Sequence, residues 1–370
     1  MQHTITRALL TYYPYRNMMN ALTKVDNESN DSMVTIKDIA KTAGVSHTTV
    51  SRALNDSRLI KDETKEQIRA IAAELNYVPN FSAKGLVNQK KYLIGLFFSS
   101  LQKGTSSSFL AEAISGVRQA LDKNYSLSVE SIDTLVLSEI NLQRYDGVII
   151  LSQSDEDQPL IDYLKNKNFP FIVINRHVKD PEILNVVADD SAGVSQAVDY
   201  AIRLGHKRIA YIGGSENFHS TNERKKGVLH SLKKANLPID ESLFLNGDYS
   251  LESGWQNMNR LLALPERPTL VFCGNDDTAI GALRAINVAN LQVPKSISLI
   301  GFDDSPVVSY LTPPLTSVHK PVKEMCEQGT KILQNRINNQ IIEDKKIQLA
   351  TTLMIRESVK VYDENLANGK

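Results

Sequence analysis

The sequence contains only two cysteines, Cys273 and Cys326, in 370 residues. Two cysteines form neither a disulfide framework nor a metal site, so we expect a protein of the reducing cytoplasm that binds no metal. No apolar run approaches the roughly eighteen residues of a membrane span. Residues 1–32 lack the apolar core of a signal peptide and end in a polar run, which indicates a disordered extension or a true start at Met33.

The chain also lacks an excess of either charge, because 42 Lys and Arg residues balance 42 Asp and Glu residues. A neutral chain has no general affinity for polyanions. Between residues 34 and 90, however, there are nine basic and six acidic residues, a local net charge of +3. We therefore expect any contact with nucleic acid to lie near the N-terminus.

Motifs of common catalytic sites are missing as well. The sequence has no His-Glu-x-x-His, no Gly-x-Ser-x-Gly, no Walker loop and no Gly-x-Gly-x-x-Gly after a strand. The adjacent Asp303 and Asp304 do not identify the separated acid and nucleophile of a glycosidase. We expect no enzymatic activity and no cofactor. A sugar-processing enzyme remains the alternative class, and recovery of bound sugars unchanged would discriminate against it.

The sequence does contain a compact motif at residues 35–55. Thr35 and Asp38 have the spacing of a capping box, and Gly44 is placed to end a first helix. Ser46 is a good N-cap for a second helix. Two short helices joined by a tight turn are typical of a helix-turn-helix. A plain pair of amphipathic helices would share these features.

The second helix has an apolar face and a polar face. Val50, Ala53 and Leu54 are predicted to point inward. The other face carries one arginine and short hydrogen-bonding groups of the kind that read base edges, namely His47, Thr48, Ser51, Arg52 and Asn55. A third helix is predicted at 61–76. Together these helices predict a DNA-binding headpiece at 33–79.

The headpiece resembles the lactose repressor/galactose repressor family of bacterial transcriptional regulators. The matching stretches are 35–46, 49–55 and 74–80. The resemblance implies that His47, Thr48 and Arg52 read bases. It implies DNA-backbone or helix-fixing contacts for a further set, Ser46, Thr49, Ser51 and Asn55, and adds Thr35 to the DNA-binding residues.

The same resemblance implies a hinge helix and linker at 80–91. In the family, two such segments fold side by side on the operator and a leucine, here Leu86, enters the central minor groove. Gly85 weakens helix formation by about 1 kcal/mol. The DNA contacts implied for this segment are Asn80, Ala83, Lys84 and Leu86.

From residue 92 onward, β-branched or aromatic runs alternate with helical segments. Strands are predicted at 92–98, 147–151, 171–175, 208–213, 269–273 and 298–302. Helices are predicted at 109–122, 192–204, 222–235, 251–264 and 278–289. Near-continuous apolar strands that alternate with helices predict a parallel sheet covered on both faces, and the length suffices for two doubly wound units.

The resemblance to the family extends to residue 357. It implies an α/β fold in which the helix-turn-helix headpiece precedes a periplasmic-binding-protein-like core at 92–357. The first subdomain is expected at 92–190 and 319–346, and the second at 191–318 and 347–357. Residues 358–370 are expected to form a C-terminal tail.

Ligands of such folds bind beyond the carboxyl ends of the strands. Asn175, Asn275 and Asp303 follow predicted strands, and amides and carboxylates there suit a polyhydroxylated ligand. Helix capping explains each acid equally well, and Arg176 fits an ion pair as well as a ligand contact. By position in the family, the implied effector contacts are Phe109, Arg176, Asp189, Arg224, Tyr249, Asn275 and Asp303.

The resemblance implies a homodimer that binds a palindromic double-stranded DNA operator. It implies a repressor of carbohydrate-utilisation genes whose operator affinity is controlled by a small sugar-like effector. A purine or a protein corepressor is the alternative within the family. The sequence leaves the identity of the effector and the sign of its control open.

Overall fold

The structure is a computed structural model that describes residues 34–77, 90–102 and 104–363. The chain divides into two compact units, Met1–Asn80 and Phe81–Lys370. The predicted extension at 1–32 lies outside the described residues. So do most of the predicted hinge segment and its four implied DNA contacts, Asn80, Ala83, Lys84 and Leu86.

The described residues of the first unit, 34–77, form three helices, α1 (Ile36–Ala43), α2 (His47–Leu54) and α3 (Asp62–Glu74). Their apolar faces meet in one small core, where each fully buried Ile or Val contributes roughly 1.5–3 kcal/mol relative to exposure. The buried residues of this core are Ile39, Ala40, Val50, Ala53, Ile68 and Ala72. The third helix therefore fixes the angle between the first two.

The ends of α1 and α2 follow from local sequence. The carboxylate of Asp38 accepts hydrogen bonds from the backbone N–H and the hydroxyl of Thr35. Gly44 ends α1 with a left-handed φ of 68°, which glycine adopts without steric cost. The hydroxyl of Ser46 accepts a hydrogen bond from the backbone N–H of Thr49 at 3.1 Å. The predicted caps and turn are confirmed.

The second unit alternates strands and helices. Its strands are β1 (Leu93–Phe98), β2 (Ser126–Ser131), β3 (Gly147–Leu151), β4 (Phe171–Ile174), β5 (Asn185–Ala188), β6 (Ile209–Ile212), β7 (Phe244–Leu245), β8 (Leu270–Cys273), β9 (Ser298–Asp303), β10 (Thr316–His319), β11 (Lys346–Leu349) and β12 (Thr352–Met354). Its helices are α4 (Ser107–Ala120), α5 (Gln158–Asn166), α6 (Asp190–Arg203), α7 (His219–Lys234), α8 (Leu251–Leu262), α9 (Asp276–Val288) and α10 (Val322–Ile337).

The first subdomain is a parallel sheet in the order β11-β5-β4-β3-β1-β2. One face packs around Ile94 and Ile149 against α4 and α10. The other packs around Phe97 and Ile150 against Leu160 of α5. Burial on both faces explains why the central strands are continuous apolar runs.

The second subdomain has the order β12-β10-β9-β8-β6-β7. Only the pair of β10 and β12 is antiparallel among its described strand pairs. Val194 and Val228 place α6 and α7 on one face, and Met258 and Ile286 place α8 and α9 on the other. The predicted pair of doubly wound α/β subdomains is confirmed.

The chain crosses between the two sheets three times. It leaves the first sheet after Ala188 and returns after His319, close to the expected positions near 190 and 319. The third crossing lies between Leu349 and Thr352 instead of near 347. The reason is that β11 pairs with β5 over four residues as the edge of the first sheet. The first subdomain therefore extends beyond the predicted 346.

Residues that follow β12 belong to the second subdomain, although a tail is predicted from 358. The backbone N–H of Leu299 donates to the carbonyl of Ser358, whose hydroxyl donates to the carbonyl of Leu299. Nε2 of His206 lies 3.0 Å from the carbonyl oxygen of Lys360, and its ring stacks on Tyr362. These bonds satisfy backbone groups that would otherwise be buried unpaired.

All six predicted strands and five predicted helices of this unit are present, with ends shifted by at most three residues. The sequence patterns miss α5, α10 and six strands. Several missed strands are short edge strands that are only partly buried, such as β7 and β11, so they lack a continuous apolar run. Within the described ranges, no helix has both the length and the apolar composition needed to cross a membrane.

Candidate functional site

The polar face of α2 is the candidate nucleic-acid interface of the first unit. His47, Thr48 and Arg52 are exposed, and their side chains make no hydrogen bond or ion pair with any residue that the structure describes. Asn55, at the end of the helix, is exposed as well. Three adjacent side chains with unused hydrogen-bonding groups can pair with base edges in a groove.

The remaining predicted DNA contacts of this unit lie beside that face. Thr35 is exposed at the start of α1. Ser46 and Thr49 hydrogen-bond each other through their hydroxyls at 2.9 Å, so they order the first turn of α2. Ser51 is half-buried. The structure therefore brings all eight predicted residues of 35–55 to the ends or the outer side of the two helices.

The candidate effector site of the second unit is a cavity between the two sheets. Its volume is about 350 Å³, including solvent at its mouth. It is lined by Gly104, Ser106, Phe109, Gln153, Asn175, Ser220, Arg224, Tyr249, Asn275, Asp303 and Lys320. Several of these residues follow strands, and the carboxyl ends of parallel strands meet at one edge of a sheet. Residues far apart in sequence therefore converge here.

Four charged groups surround the floor of the cavity. Nε of Arg224 lies 3.0 Å from Oδ2 of Asp190, and Nζ of Lys320 lies 3.0 Å from Oδ1 of the same carboxylate. Nη2 of Arg224 lies 3.6 Å from Oδ1 of Asp303. Two cations thus share one well-paired carboxylate, and Asp303 is the more loosely paired acid.

Arg224 is held from several sides. Its guanidinium donates to the carbonyl of Gly274. It also stacks 3.7 Å from the ring centroid of Phe302 and 5.4 Å from that of Tyr249. The Tyr249 ring stacks in turn on Phe218, with ring centroids 6.2 Å apart. Cation–π contacts and a fixed hydrogen-bonding fork preorganise this arginine before any ligand arrives.

Burial and the neighbouring charges together set the pKa values of the acids at the cavity. Burial raises the pKa of Asp303 to about 6, with Arg224 and Lys320 opposing the change. Burial and the neighbouring Asp303 raise the pKa of Asp276 to about 7. For Asp190, burial is outweighed by Lys320 and Arg224, which hold its pKa below the usual value. In the described part of the chain, no group of three or more His, Cys, Asp or Glu side chains could hold a metal ion.

Five of the seven predicted effector contacts line the cavity, namely Phe109, Arg224, Tyr249, Asn275 and Asp303. Asp189 lies at the N-terminus of α6, where its carboxylate accepts the backbone N–H of Ala192 at 2.9 Å. Arg176 is buried against Ser152 and Asp155 of its own subdomain. Neither of these two is among the described lining residues, because hydrogen bonds hold both side chains elsewhere.

Sequence reasoning missed Asp190 and Lys320. Asp190 directly follows the predicted Asp189, and one residue at a helix start changes the direction of a side chain by about 100°. Lys320 follows β10, a strand that the apolar pattern did not predict. Recognition of β10 would have placed Lys320 among the strand-end residues. Gln153, which follows β3, was missed as well, whereas Asn175, which the strand-end rule did point to, lines the cavity as expected.

Two family models match the chain. The model described as bacterial regulatory proteins, lacI family, matches residues 35–80. The model described as a periplasmic binding protein-like domain matches residues 198–359. The first match covers the three-helix unit, and the second covers most of the second subdomain.

The chain is similar to regulators of transcription over most of its length. It is 48% identical over 329 residues to the probable HTH-type transcriptional repressor ExuR of Bacillus subtilis, which covers 89% of this chain and 99% of the relative. A CelR–cellobiose complex has 30% identity and a TM-score of 0.67, over 88% of this chain and 99% of the other. The lac repressor dimer bound to operator and the anti-inducer ONPF has 28% identity and a TM-score of 0.74, with the same coverage.

Proposed function

Because this chain belongs to the lacI family of bacterial regulatory proteins, we propose that it represses carbohydrate-utilisation genes by binding a palindromic operator as a homodimer. The chain is a DNA-binding transcriptional regulator and not an enzyme. We further propose that a small sugar-like effector in the cavity controls its affinity for the operator.

The proposed operator contact is the outer face of α2 in a major groove. Base edges would be contacted by His47, Thr48 and Arg52. The DNA backbone would be contacted by Ser46 and Asn55, at the two ends of the helix. One recognition helix reads only half a site, so two copies with matching symmetry read a palindrome. Leu86, which lies outside the described residues, is proposed as the wedge at its centre.

The observation that carries the effector proposal is the set of polar groups at the cavity. Oδ1 of Asn175 is buried without a hydrogen-bond partner among the described residues. An unsatisfied buried acceptor costs roughly 1–3 kcal/mol, and a ligand hydroxyl would satisfy it. Asp303 offers a second acceptor, while Arg224 and Lys320 offer donors. Neighbouring hydroxyls of a sugar both donate and accept, so they fit this mixture.

A purine is the second candidate effector. The rings of Phe109 and Tyr249 line the cavity, and aromatic walls can stack on a planar base. One face of Tyr249 is already taken by Phe218. Most of the lining is polar, which favours a polyhydroxylated ligand over a flat aromatic one.

The proposed dimer contact includes a groove between α8 and α9. Leu251 is 51% exposed and Val288 is 65% exposed, and both line this groove beside Trp255 and Ile280. Large apolar side chains that share one exposed surface mark interaction sites. Two copies that meet through the same groove would cover these residues in both.

The test is a thermal-shift panel of monosaccharides, oligosaccharides, sugar phosphates and purines, followed by operator binding with each hit. A tight ligand raises the unfolding temperature by mass action. We expect a carbohydrate to raise it and to change operator affinity. A panel in which only purines do so would replace the sugar proposal. Failure of the dimer to bind any DNA more tightly than random DNA would overturn the operator proposal.

A further inference from the structure

The start of α7 in the second subdomain touches the first subdomain directly. Phe218 and Ser154 form an isolated antiparallel bridge. The backbone N–H of His219 donates to the carbonyl of Gln153 at 2.9 Å. Nε2 of His219 lies 2.9 Å from Oδ1 of Asp155. We call these five residues the clasp. Each contact joins the two subdomains near the cavity, and each would break if the subdomains moved apart.

Arg176 explains why Asp155 is available to the clasp. The Asp155 side chain is 79% exposed, and an exposed ion pair ordinarily contributes little because both partners move. The Arg176 side chain, in contrast, is only 4% exposed. Its three nitrogens bond Ser152 at 2.7 Å, Asp155 at 2.8 Å and Gln158 at 3.0 Å. The buried guanidinium therefore fixes the exposed carboxylate from behind.

The carboxylate oxygen that Arg176 holds is the one that His219 reaches. Oδ1 of Asp155 accepts a hydrogen bond from Nη1 of Arg176 and another from Nε2 of His219. The rigid guanidinium fork of Arg176 already restricts the conformations of the Asp155 side chain before the subdomains close. Closure therefore costs less side-chain conformational entropy. Preorganisation of this kind lowers the cost of forming a contact.

Gly104 provides the second half of the closure. It lies in the first subdomain with a φ of 69°, and a Cβ at this position would lie 2.2 Å from Cε2 of Phe218. The ring of Phe218 also stacks on Tyr249, a wall of the cavity. Phe218 can therefore close over the cavity only because residue 104 has no side chain.

We infer that Arg176 is a positioning residue for cleft closure: it holds Asp155 toward His219, and the clasp, with Phe218 seated on Gly104, keeps the two subdomains closed. The role of this closure in retaining an effector rests on the proposed function. Arg176, Asp155 and His219, none of which is among the described lining residues, would then help to set how fast an effector leaves, because dissociation requires the clasp to open.

The test uses the full-length, ligand-free protein and amide hydrogen exchange of residue 219. Its N–H is protected by the carbonyl of Gln153 only while the clasp is closed. We expect Asp155→Ala and His219→Ala each to reduce this protection about three- to tenfold. The double variant should lose no more than either single variant, because both remove the same contact.

Arg176→Gln should reduce the protection as Asp155→Ala does, and Arg176→Lys should restore part of it. Asp155→Ala keeps the test decisive if an Arg176 variant does not fold, since Asp155 is mostly exposed. The matched control is Asp180→Ala, which removes a carboxylate paired with Lys165 inside the first subdomain. It should leave the protection of residue 219 unchanged.

Gly104→Ala should also reduce protection of residue 219, and the addition of Phe218→Ala should relieve the clash that the new methyl group creates. Unchanged protection in Asp155→Ala, or losses from Asp155→Ala and His219→Ala that multiply independently, would overturn the clasp. Equal losses in Asp180→Ala would do the same. No carbohydrate enters these measurements, so they stand if the whole thermal-shift panel is negative and only the effector proposal fails.

Discussion

Arg224 and Asp303 face each other across the cavity floor, with Nη2 of Arg224 3.6 Å from Oδ1 of Asp303. Arg224 pairs more closely with Asp190, at 3.0 Å. Asp303 is therefore buried beside a cation that another carboxylate already holds. Burial raises the pKa of Asp303 to about 6 for this reason. The loosely paired carboxylate of Asp303 therefore offers an acceptor to a ligand. Its burial lowers the stability of the ligand-free fold.

Asp303→Asn should weaken effector binding while it leaves operator binding without effector nearly intact. The amide keeps the shape of the carboxylate but loses a charge-assisted acceptor, which is worth roughly 1.5 to 3 kcal/mol. Titration calorimetry with a carbohydrate that raises the unfolding temperature would measure the loss. Asp199→Asn is the control, since Asp199 pairs with Lys234 at 2.7 Å and lies outside the described cavity lining. Loss of operator binding by ligand-free Asp303→Asn would indicate a structural role.

The same substitution should change how stability depends on pH. Folding raises the pKa of Asp303 from 3.8 to about 6, so the folded state binds this proton more tightly than the unfolded state. The stabilisation of the fold by this proton is fully present below pH 3.8 and is lost as the pH rises through about 6. Asn imitates the protonated form, so the variant should be about 1 to 3 kcal/mol more stable than the parent at pH 7 and nearly equal to it near pH 4.

Urea unfolding of the ligand-free protein between pH 4 and 8 would measure this difference. Asp240→Asn is a control of opposite sign. Hydrogen bonds from Ser242 hold the pKa of Asp240 below 3.8, so the Asp240 carboxylate stabilises the fold when it is ionised. Replacement of this carboxylate should therefore destabilise the protein above pH 3.8. A parent and an Asp303→Asn variant with parallel pH profiles would show that the charge of Asp303 costs nothing.

Arg52→Ala should weaken operator binding by about 1 to 3 kcal/mol and relax the preference at one base pair in each half-site. The reason is that Arg52 lies exposed on α2 with no partner among the described residues. Fluorescence anisotropy with the operator, single-base variants and random DNA would measure both effects. Arg69→Ala, which removes an arginine paired with Asp56, should keep the base preference. If Arg52→Ala binds all these DNAs as the parent does, α2 is not the reading helix.

Val288→Lys should shift the protein toward monomers and thereby weaken its binding to a full palindrome. A charge on each copy would repel its partner and require desolvation at the proposed interface. Sedimentation velocity over a concentration series would measure the change. Ile341→Lys is the matched control, because Ile341 is 90% exposed in the first subdomain outside the groove. A fully dimeric Val288→Lys variant would place the dimer contact elsewhere.

Acidification should destabilise the second subdomain through His206. Burial lowers the pKa of this histidine from 6.5 to about 4, so the neutral ring is the form that the fold accommodates. The contribution of neutral His206 to the free energy of unfolding is fully present above pH 6.5. The free energy of unfolding should fall by about 1.4 kcal/mol for each pH unit from 6.5 down to about 4. Thermal unfolding of the parent and His206→Gln over that range would measure the difference. Equal slopes would exclude His206 as the cause.

The sequence by itself determined the three-helix unit and the sheet class. The caps at Thr35 and Ser46 and the left-handed turn at Gly44 depend on residues within a few positions, so local reading suffices. The central strands such as β3 are buried on both faces, and that burial requires a continuous apolar run visible in the sequence. Strand ends also pointed to Asn275 and Asp303.

Only the tertiary structure decided which charges meet and where the chain crosses. Asp190, Arg224 and Lys320 come from positions up to 130 residues apart, and no spacing rule joins them. Edge strands such as β11 are specified by the neighbour that they pair with, so the third crossing was misplaced. The local sequence around Arg176 is compatible both with a ligand contact and with an ion pair to a carboxylate. Its burial against Asp155 and the reach of Asp155 to His219 appear only when two sheets close on each other, because non-local packing sets the direction of a side chain.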